Sequence, residues 1–352
     1  MKELLDKINH PNNHRARSYP ENIQSTVNPI YDSYLDDEVP SIECRDLGKM
    51  CYTFEGVYYK NLKRIIEGSP YYFERTHPEA IKNYRETSVG GLKRLIKYLL
   101  FTKSYSREKG LLVTDCYSYS YYHWFSEALP RVCYAILNGS SGRVFLPSIC
   151  LKYEYIAESL KMFPEIEFEY IIPKSKVTIQ ETKWVSPAGK PYQFNTPLMK
   201  AYRERIRAHY GINVTSLKKN RIFVNRKKAT KRKLINEGEV LDVFKEHGFT
   251  IIDFEDYTWN EQVGLCRDVS VVAGIHGAGL TNMLFCPEDV VVFELQKKMD
   301  FASCFFRLSN AIGVRYFTQY SVGDFDSSDS EVLSDIRIDI DELNANLKLI
   351  SQ

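Results

Sequence analysis

Residues 271–285, VVAGIHGAGLTNMLF, constrain the fold more than any other stretch of this chain. Ser270, Val271, Val272 and Ala273 form a run without alternation, the pattern of a strand buried on both faces of a parallel sheet. The run breaks into Gly274, Gly277 and Gly279 around His276, and an apolar helical pattern restarts at Leu280. A strand that gives way to glycines and then to a helix makes a cradle for an anion. Glycine admits a ligand close to the backbone, and the free N–H groups at a helix start favour negative charge. The same pattern also fits a tight strand-to-helix turn with no ligand; His276, placed where a ligand-facing group would stand, favours a site.

The flanking pattern agrees with a parallel sheet. At 352 residues the chain is long enough for two domains. Strands are predicted at 111–116, 143–147, 167–172 and 177–186, and helices at 122–137, 153–162 and 197–210, the first bent if continuous because Pro130 lacks a backbone donor. A second series has strands at 221–225, 249–254, from 270, and 290–295, with helices at 236–247 and 260–268. The expected domains are therefore 1–210 and 211–323, joined at a polar segment over 211–220, with a tail over 324–352 that ends in a helix. Residues 1–100 are hardly readable: a short helix before Pro11, and short strands around 51–59 with a turn at Gly56. Between Gly91 and Arg107 a basic amphipathic helix is expected; such a helix can dock on its own domain or lie on an anionic membrane surface.

Composition removes some classes. A formal net charge of +2 excludes nucleic-acid binding through bulk charge. The eight cysteines show no C-x-x-C spacing and lie mostly in apolar runs, the usage of free thiols in a reducing compartment rather than of a disulfide framework or zinc site. The N-terminal residues lack the apolar core of a signal peptide and no stretch approaches a membrane span, so a cytoplasmic setting is expected. The 25 tyrosines suit sugar-binding clefts and ordinary packing equally.

Three further stretches carry chemistry. In YYHWFSEALPR, residues 121–131, His123 and Glu127 are four apart and share a helix face just after a strand, where general acid–base groups of α/β sheets are housed; a surface ion pair is the alternative. Asp115, at the end of that strand, is a third candidate base. In RIFVNRKKATKRKLINE, residues 221–237, Arg226 and Arg232 lie with four lysines between a strand and a helix, at the sheet edge where ligands bind and where guanidinium groups grip phosphate. Glu294 ends the strand after the glycine cradle, where a carboxylate can accept ribose hydroxyls. The Asp-x-Asp pairs at Asp324/Asp326 and Asp339/Asp341 fall outside the strand ends and read as solvated or helical carboxylates, not metal ligands.

Taken in order, these pieces resemble glycosyltransferase family 61. They are HW-x-x-E-x-LPR at 123–131, the segment from Arg226 through Arg232 to Asn236 and Glu237, EQV at 261–263, GIHGAGLTN at 274–282, and a strand ending in Glu294. The resemblance spans about residues 110–297. It implies an α/β, GT-B fold, with two Rossmann-like domains facing across a cleft. It also implies an inverting transfer from a nucleotide-diphosphate sugar to a glycan acceptor, with no cofactor and no obligatory metal. On that reading His276, Gly277, Ala278, Gly279, Leu280, Thr281 and Asn282 hold the diphosphate, Arg226 and Arg232 neutralise it, Asn236 and Glu237 belong to the donor site, and Glu294 takes the ribose. The first domain brings the acceptor. Family members often carry Asp where Glu127 stands here, which favours Glu127 as base with His123 orienting it or the acceptor. Bacterial relatives build capsule and other surface polysaccharides, eukaryotic ones modify glycoproteins; the lack of a signal and the cysteine usage favour the former. Another sugar-nucleotide enzyme such as an epimerase, or a nucleotide- or phosphoglycan-binding module without catalysis, are the competing readings.

Overall fold

The computed structural model describes residues 1–11, 18–23, 31, 41–54, 58–60, 63–64, 102–114, 118–187, 193–217, 219–229, 231–297, 303–322 and 335–352. Asp115, Gly56, Asp324 and Asp326 lie outside these, as does most of the helix expected over 91–107. The chain folds as two compact units, one of Met1–Asn13 with Val39–Leu198, the other of His14–Glu38 with Met199–Gln352. The second unit thus begins before the expected joint at 211–220 and takes in an early segment of the chain.

The first unit holds β1 (Cys44–Thr53), β2 (Tyr58–Lys60), β3 (Lys63–Arg64), β4 (Lys103–Leu112), β5 (Arg143–Pro147), β6 (Glu167–Ile171) and β7 (Ser175–Val185), in the order β3-β2-β1-β7-β4-β5-β6. The pairs β7–β4, β4–β5 and β5–β6 are parallel. These four strands, numbered from β4, run 3-2-1-4, half of a dinucleotide-fold sheet whose order reverses between β4 and β7. The strands from the poorly readable N-terminal region extend it with antiparallel pairs β7–β1, β1–β2 and β2–β3. Residues 103–107 belong to β4 and not to a helix. Ladder bonds to β7 along the whole strand outweigh the local helical spacing, as tertiary pairing commonly does.

The second unit holds β8 (Asn220–Val224), β9 (Thr250–Ile252), β10 (Val269–Ile275), β11 (Val291–Gln296) and β12 (Arg315–Tyr320), ordered β12-β11-β10-β8-β9 with every pair parallel. Numbered within the unit this is 2-1-3-4-5, whose order reverses between β8 and β10. The continuous apolar run has its physical reason: β10 and β11 are buried on both faces. Val271, Ala273, Val291 and Phe293 meet Val240 and Phe244 of helix Glu237–Glu246 and Leu343 and Leu347 of helix Ile340–Ile350. Asp339 caps the latter helix by accepting the N–H of Glu342, which confirms its helical reading. Two elements not expected above are the helix Cys304–Ile312 and β12. Residues 18–23 belong here too: Glu21 pairs with Arg315 at 2.6 Å, and Asn22 bonds both backbone groups of Thr318. Among the described residues, no helix is long and apolar enough to cross a membrane.

Candidate functional site

In the first unit the segment Tyr121–Leu137 is a single helical rod with a wide turn inside it: α over Tyr121–His123, π over Trp124–Ala128, α again over Leu129–Leu137. Pro130 has no N–H and its ring would strike the carbonyl four residues back. The chain answers by opening one turn, the Leu129 N–H reaching Trp124 O, while the Ser126 hydroxyl donates to Tyr122 O at 2.6 Å. Such bulges recur at functional sites. This turn carries the expected pair: His123 Nδ1 lies 2.8 Å from Glu127 Oε2, with the side chains 19% and 26% exposed. Arg131 of the same motif is buried; its Nε donates to Val185 O at 2.8 Å and its Nη2 to Leu112 O at 3.4 Å. Those carbonyls end β7 and β4, so Arg131 fastens the rod at the point where the strand order reverses. Trp124 anchors it from the other side, its indole N–H donating to Ser159 Oγ at 2.8 Å.

In the second unit β8 and β10 are in register at Val224 and Gly274, and the chain leaves both at their C-terminal ends. Asn225 and Arg226 come after one strand, His276 and Gly277 after the other, so the cationic loop and the glycine loop meet at the reversal point. Gly274 and Gly279 are packing glycines: a Cβ would lie 3.0 Å from Val224 O at the first and 2.8 Å from Val224 Cγ1 at the second. Gly277 makes room for Arg226, whose Nη1 a Cβ would meet at 2.0 Å. Beyond Gly277 the chain forms a 3₁₀ helix, Ala278–Phe285, where an apolar helical run is expected from Leu280. Within it Leu280, Thr281 and Asn282 are buried, whereas His276, Ala278 and Gly279 keep accessible surface.

Arg226 is half-buried, and its Nε is buried with no hydrogen-bond partner among the described residues. Burial, and after it the neighbouring Arg232 charge, hold its pKa below the ordinary arginine value. Arg232 takes a left-handed φ of 59°, a conformation that costs a side-chain-bearing residue energy and collects at functional positions. Two guanidinium groups brought together at a sheet edge make a receptor for a polyanion.

Three expected donor residues are engaged elsewhere. Asn236 donates from Nδ2 to Ile338 O at 2.9 Å and accepts from Ile338 N–H at 3.1 Å, clasping the C-terminal segment. Glu237 accepts from Asn225 Nδ2 at 3.2 Å. Glu294 has no exposed surface, and both oxygens are taken: Oε1 lies 2.5 Å from His276 Nδ1, and Oε2 accepts from the Tyr316 hydroxyl. The carboxylate is thus closed off between His276 and Tyr316, with no surface of its own at the sheet edge. A strand signal could have found Tyr316: residues 315–320, RYFTQY, are rich in the aromatic and β-branched residues that strands favour.

The sequence model of the family described as Glycosyltransferase 61 matches residues 121–293. This is a glycosyltransferase 61 region. Its match opens on the first residue of the rod that bears His123 and Glu127 and closes one residue before Glu294, spanning both constellations. Among curated relatives, the EGF domain-specific O-linked N-acetylglucosamine transferase of Canis lupus familiaris is 29% identical over 131 residues, 35% of this chain and 25% of that protein. The proteins of the same name from Drosophila melanogaster and Xenopus laevis are 32% and 33% identical over 90 and 92 residues, in each case 25% of this chain and 17% of the relative. The matches thus span a quarter or less of the length of these relatives.

Proposed function

We propose that this chain is a glycosyltransferase that takes a sugar from a nucleotide-diphosphate donor, of GT-B type and inverting. The observation that carries the reading is the meeting of Arg226, Arg232 and the Gly277 loop where β8 and β10 diverge. Arginines that repel one another are stable together when an anion lies between them, and the C-terminal edge at a reversal of strand order is where open α/β sheets bind nucleotides. Arg226, Arg232, His276, Gly277, Ala278 and Gly279 are assigned to the diphosphate. In the first unit Glu127 is assigned as the base that takes the acceptor hydroxyl's proton, with His123 orienting it. Charge on the leaving diphosphate is met by arginine and N–H groups, so no metal is required.

The acceptor we assign is a hydroxyl of a glycan, as in capsule or other surface polysaccharide synthesis in the cytoplasm; the seven described cysteines, all free, fit a reducing compartment. A protein hydroxyl is the second reading, favoured by the relatives' being EGF domain-specific O-linked N-acetylglucosamine transferases, which also makes nucleotide-activated N-acetylglucosamine the first donor to try. A thermal-shift screen of nucleotide sugars tests the donor assignment, since a ligand at 100 times its dissociation constant stabilises by about 2.7 kcal/mol. Turnover that needs an acceptor separates a transferase from an epimerase, and turnover at all separates it from a binding module. A screen in which no nucleotide sugar stabilises the protein would remove the reading.

A further inference from the structure

Glu294 is a carboxylate sealed inside the second unit, and a buried carboxylate is stable only with a proton, a cation or a full set of donors. Its surroundings supply such a set. His276 Nδ1 is 2.5 Å from Oε1, and Tyr316 donates to Oε2. Tyr316 is itself fully buried; burial first, then the Glu294 charge, raise its pKa well above the ordinary value, so the phenol stays a donor. Around this pair Gln296 Nε2 donates to the Tyr316 oxygen at 3.2 Å and to Thr318 Oγ1 at 2.9 Å, and Thr318 Oγ1 donates to the Glu294 carbonyl at 3.1 Å. The His276 backbone N–H is fixed on Leu295 O at 2.9 Å, and its ring meets Phe305 at 5.3 Å between centroids and 65° between planes. The imidazole is therefore held at Nδ1 and against the Phe305 ring. Nδ1 is occupied, and Nε2 remains for a ligand, on a side chain that is 17% exposed and directly precedes the glycine against which Arg226 lies.

We infer that Glu294 and Tyr316 are positioning residues that hold His276 with Nε2 toward the terminal phosphate of the donor's diphosphate. This rests on the donor-site reading above. With Nδ1 held on the carboxylate, the Nε2 edge of the ring is turned toward the phosphate, and an Nε2–H there donates to phosphate oxygen. In the transfer step the bond between the anomeric carbon and the diphosphate oxygen breaks, and its electron pair stays on that oxygen. The Nε2–H hydrogen bond stabilises the charge that appears there, while the acceptor oxygen, its proton passed to the base, forms the new bond.

A comparison of nucleoside di- and monophosphates tests this, because both share the nucleoside and the first phosphate and differ in the group His276 is assigned to hold. The affinities of UDP, GDP, ADP, CDP and TDP, and of the matching monophosphates, are measured calorimetrically for the parent protein and for His276→Gln, Glu294→Gln and Tyr316→Phe. The parent is expected to prefer the diphosphate. That preference should fall about tenfold or more in His276→Gln, in line with the loss of a charge-assisted hydrogen bond, and by a smaller factor in the other two, with monophosphate affinity retained. General loosening of the unit would weaken both ligands together, and Tyr316→Phe keeps the shape of the core if Glu294→Gln does not fold. An unchanged preference in all three variants would overturn the inference and leave the donor-site reading standing; a parent that binds no diphosphate would overturn both.

Discussion

A Cβ on Gly277 would fall 2.0 Å from Nη1 of Arg226. The loop after β10 is thus shaped around a side chain that leaves β8. Gly277 has an extended φ of 174°, which alanine adopts freely, so only the side-chain contact demands glycine there. Gly277→Ala is expected to displace the guanidinium and weaken nucleoside diphosphate binding about tenfold, with little change in melting temperature. On an Arg226→Ala background the same change should cost nothing further. An additive loss in calorimetric titrations would separate the two residues.

Arg226→Ala and Arg232→Ala are each expected to weaken binding of the diphosphate by about 1.5 to 3 kcal/mol, the range for hydrogen bonds to charged groups. Arg232 adds a sign of its own. Its left-handed φ means that Arg232→Gly relieves strain, so the glycine variant should bind as poorly as the alanine variant yet melt higher. Titration and melting of the two variants side by side check this.

Removal of a general base costs about 10² to 10⁴ in rate. Glu127→Gln keeps the hydrogen-bonding shape beside His123 and should show that loss in kcat, with donor affinity nearly unchanged. Near-parental turnover of Glu127→Gln beside a dead His123→Ala would transfer the role to the histidine.

Excess chelator should leave transfer intact, since arginine and N–H donors are assigned to the leaving group. Loss of activity in EDTA that Mg²⁺ or Mn²⁺ restores would count against the metal-free mechanism.

Arg203 is buried within the second unit, and burial pushes its pKa down to about 10. Its guanidinium donates to Ile312 O at 3.1 Å, Cys286 O at 3.0 Å and Pro287 O at 2.7 Å. A depressed pKa in a cation means that the charge opposes folding below that pH, so its contribution comes from the three carbonyls it satisfies. Arg203→Leu leaves them without a donor and should destabilise the protein by about 3 kcal/mol in urea unfolding, each unsatisfied buried acceptor costing roughly 1–3 kcal/mol.

Elements whose cause is local could be read from the amino-acid order alone. A strand buried on both faces must be continuously apolar, so Val271–Ala273 declared β10. Residues four apart on a helical segment must meet, so His123 and Glu127 were legible as a pair, and the wide turn that Pro130 enforces did not separate them. What depends on distant residues came only from tertiary structure, because hydrogen bonds between residues far apart in the chain leave no periodic trace. Nothing local marks Glu294 as closed off by His276, 18 positions before it, and Tyr316, 22 after it. Nor does anything near Asn236 reveal that Ile338, 102 residues on, occupies its amide. The helix expected over 91–107 gives way at residues 103–107 for the same reason. Its apolar spacing is a local property, whereas the ladder that makes those residues a strand runs to β7, some seventy residues later.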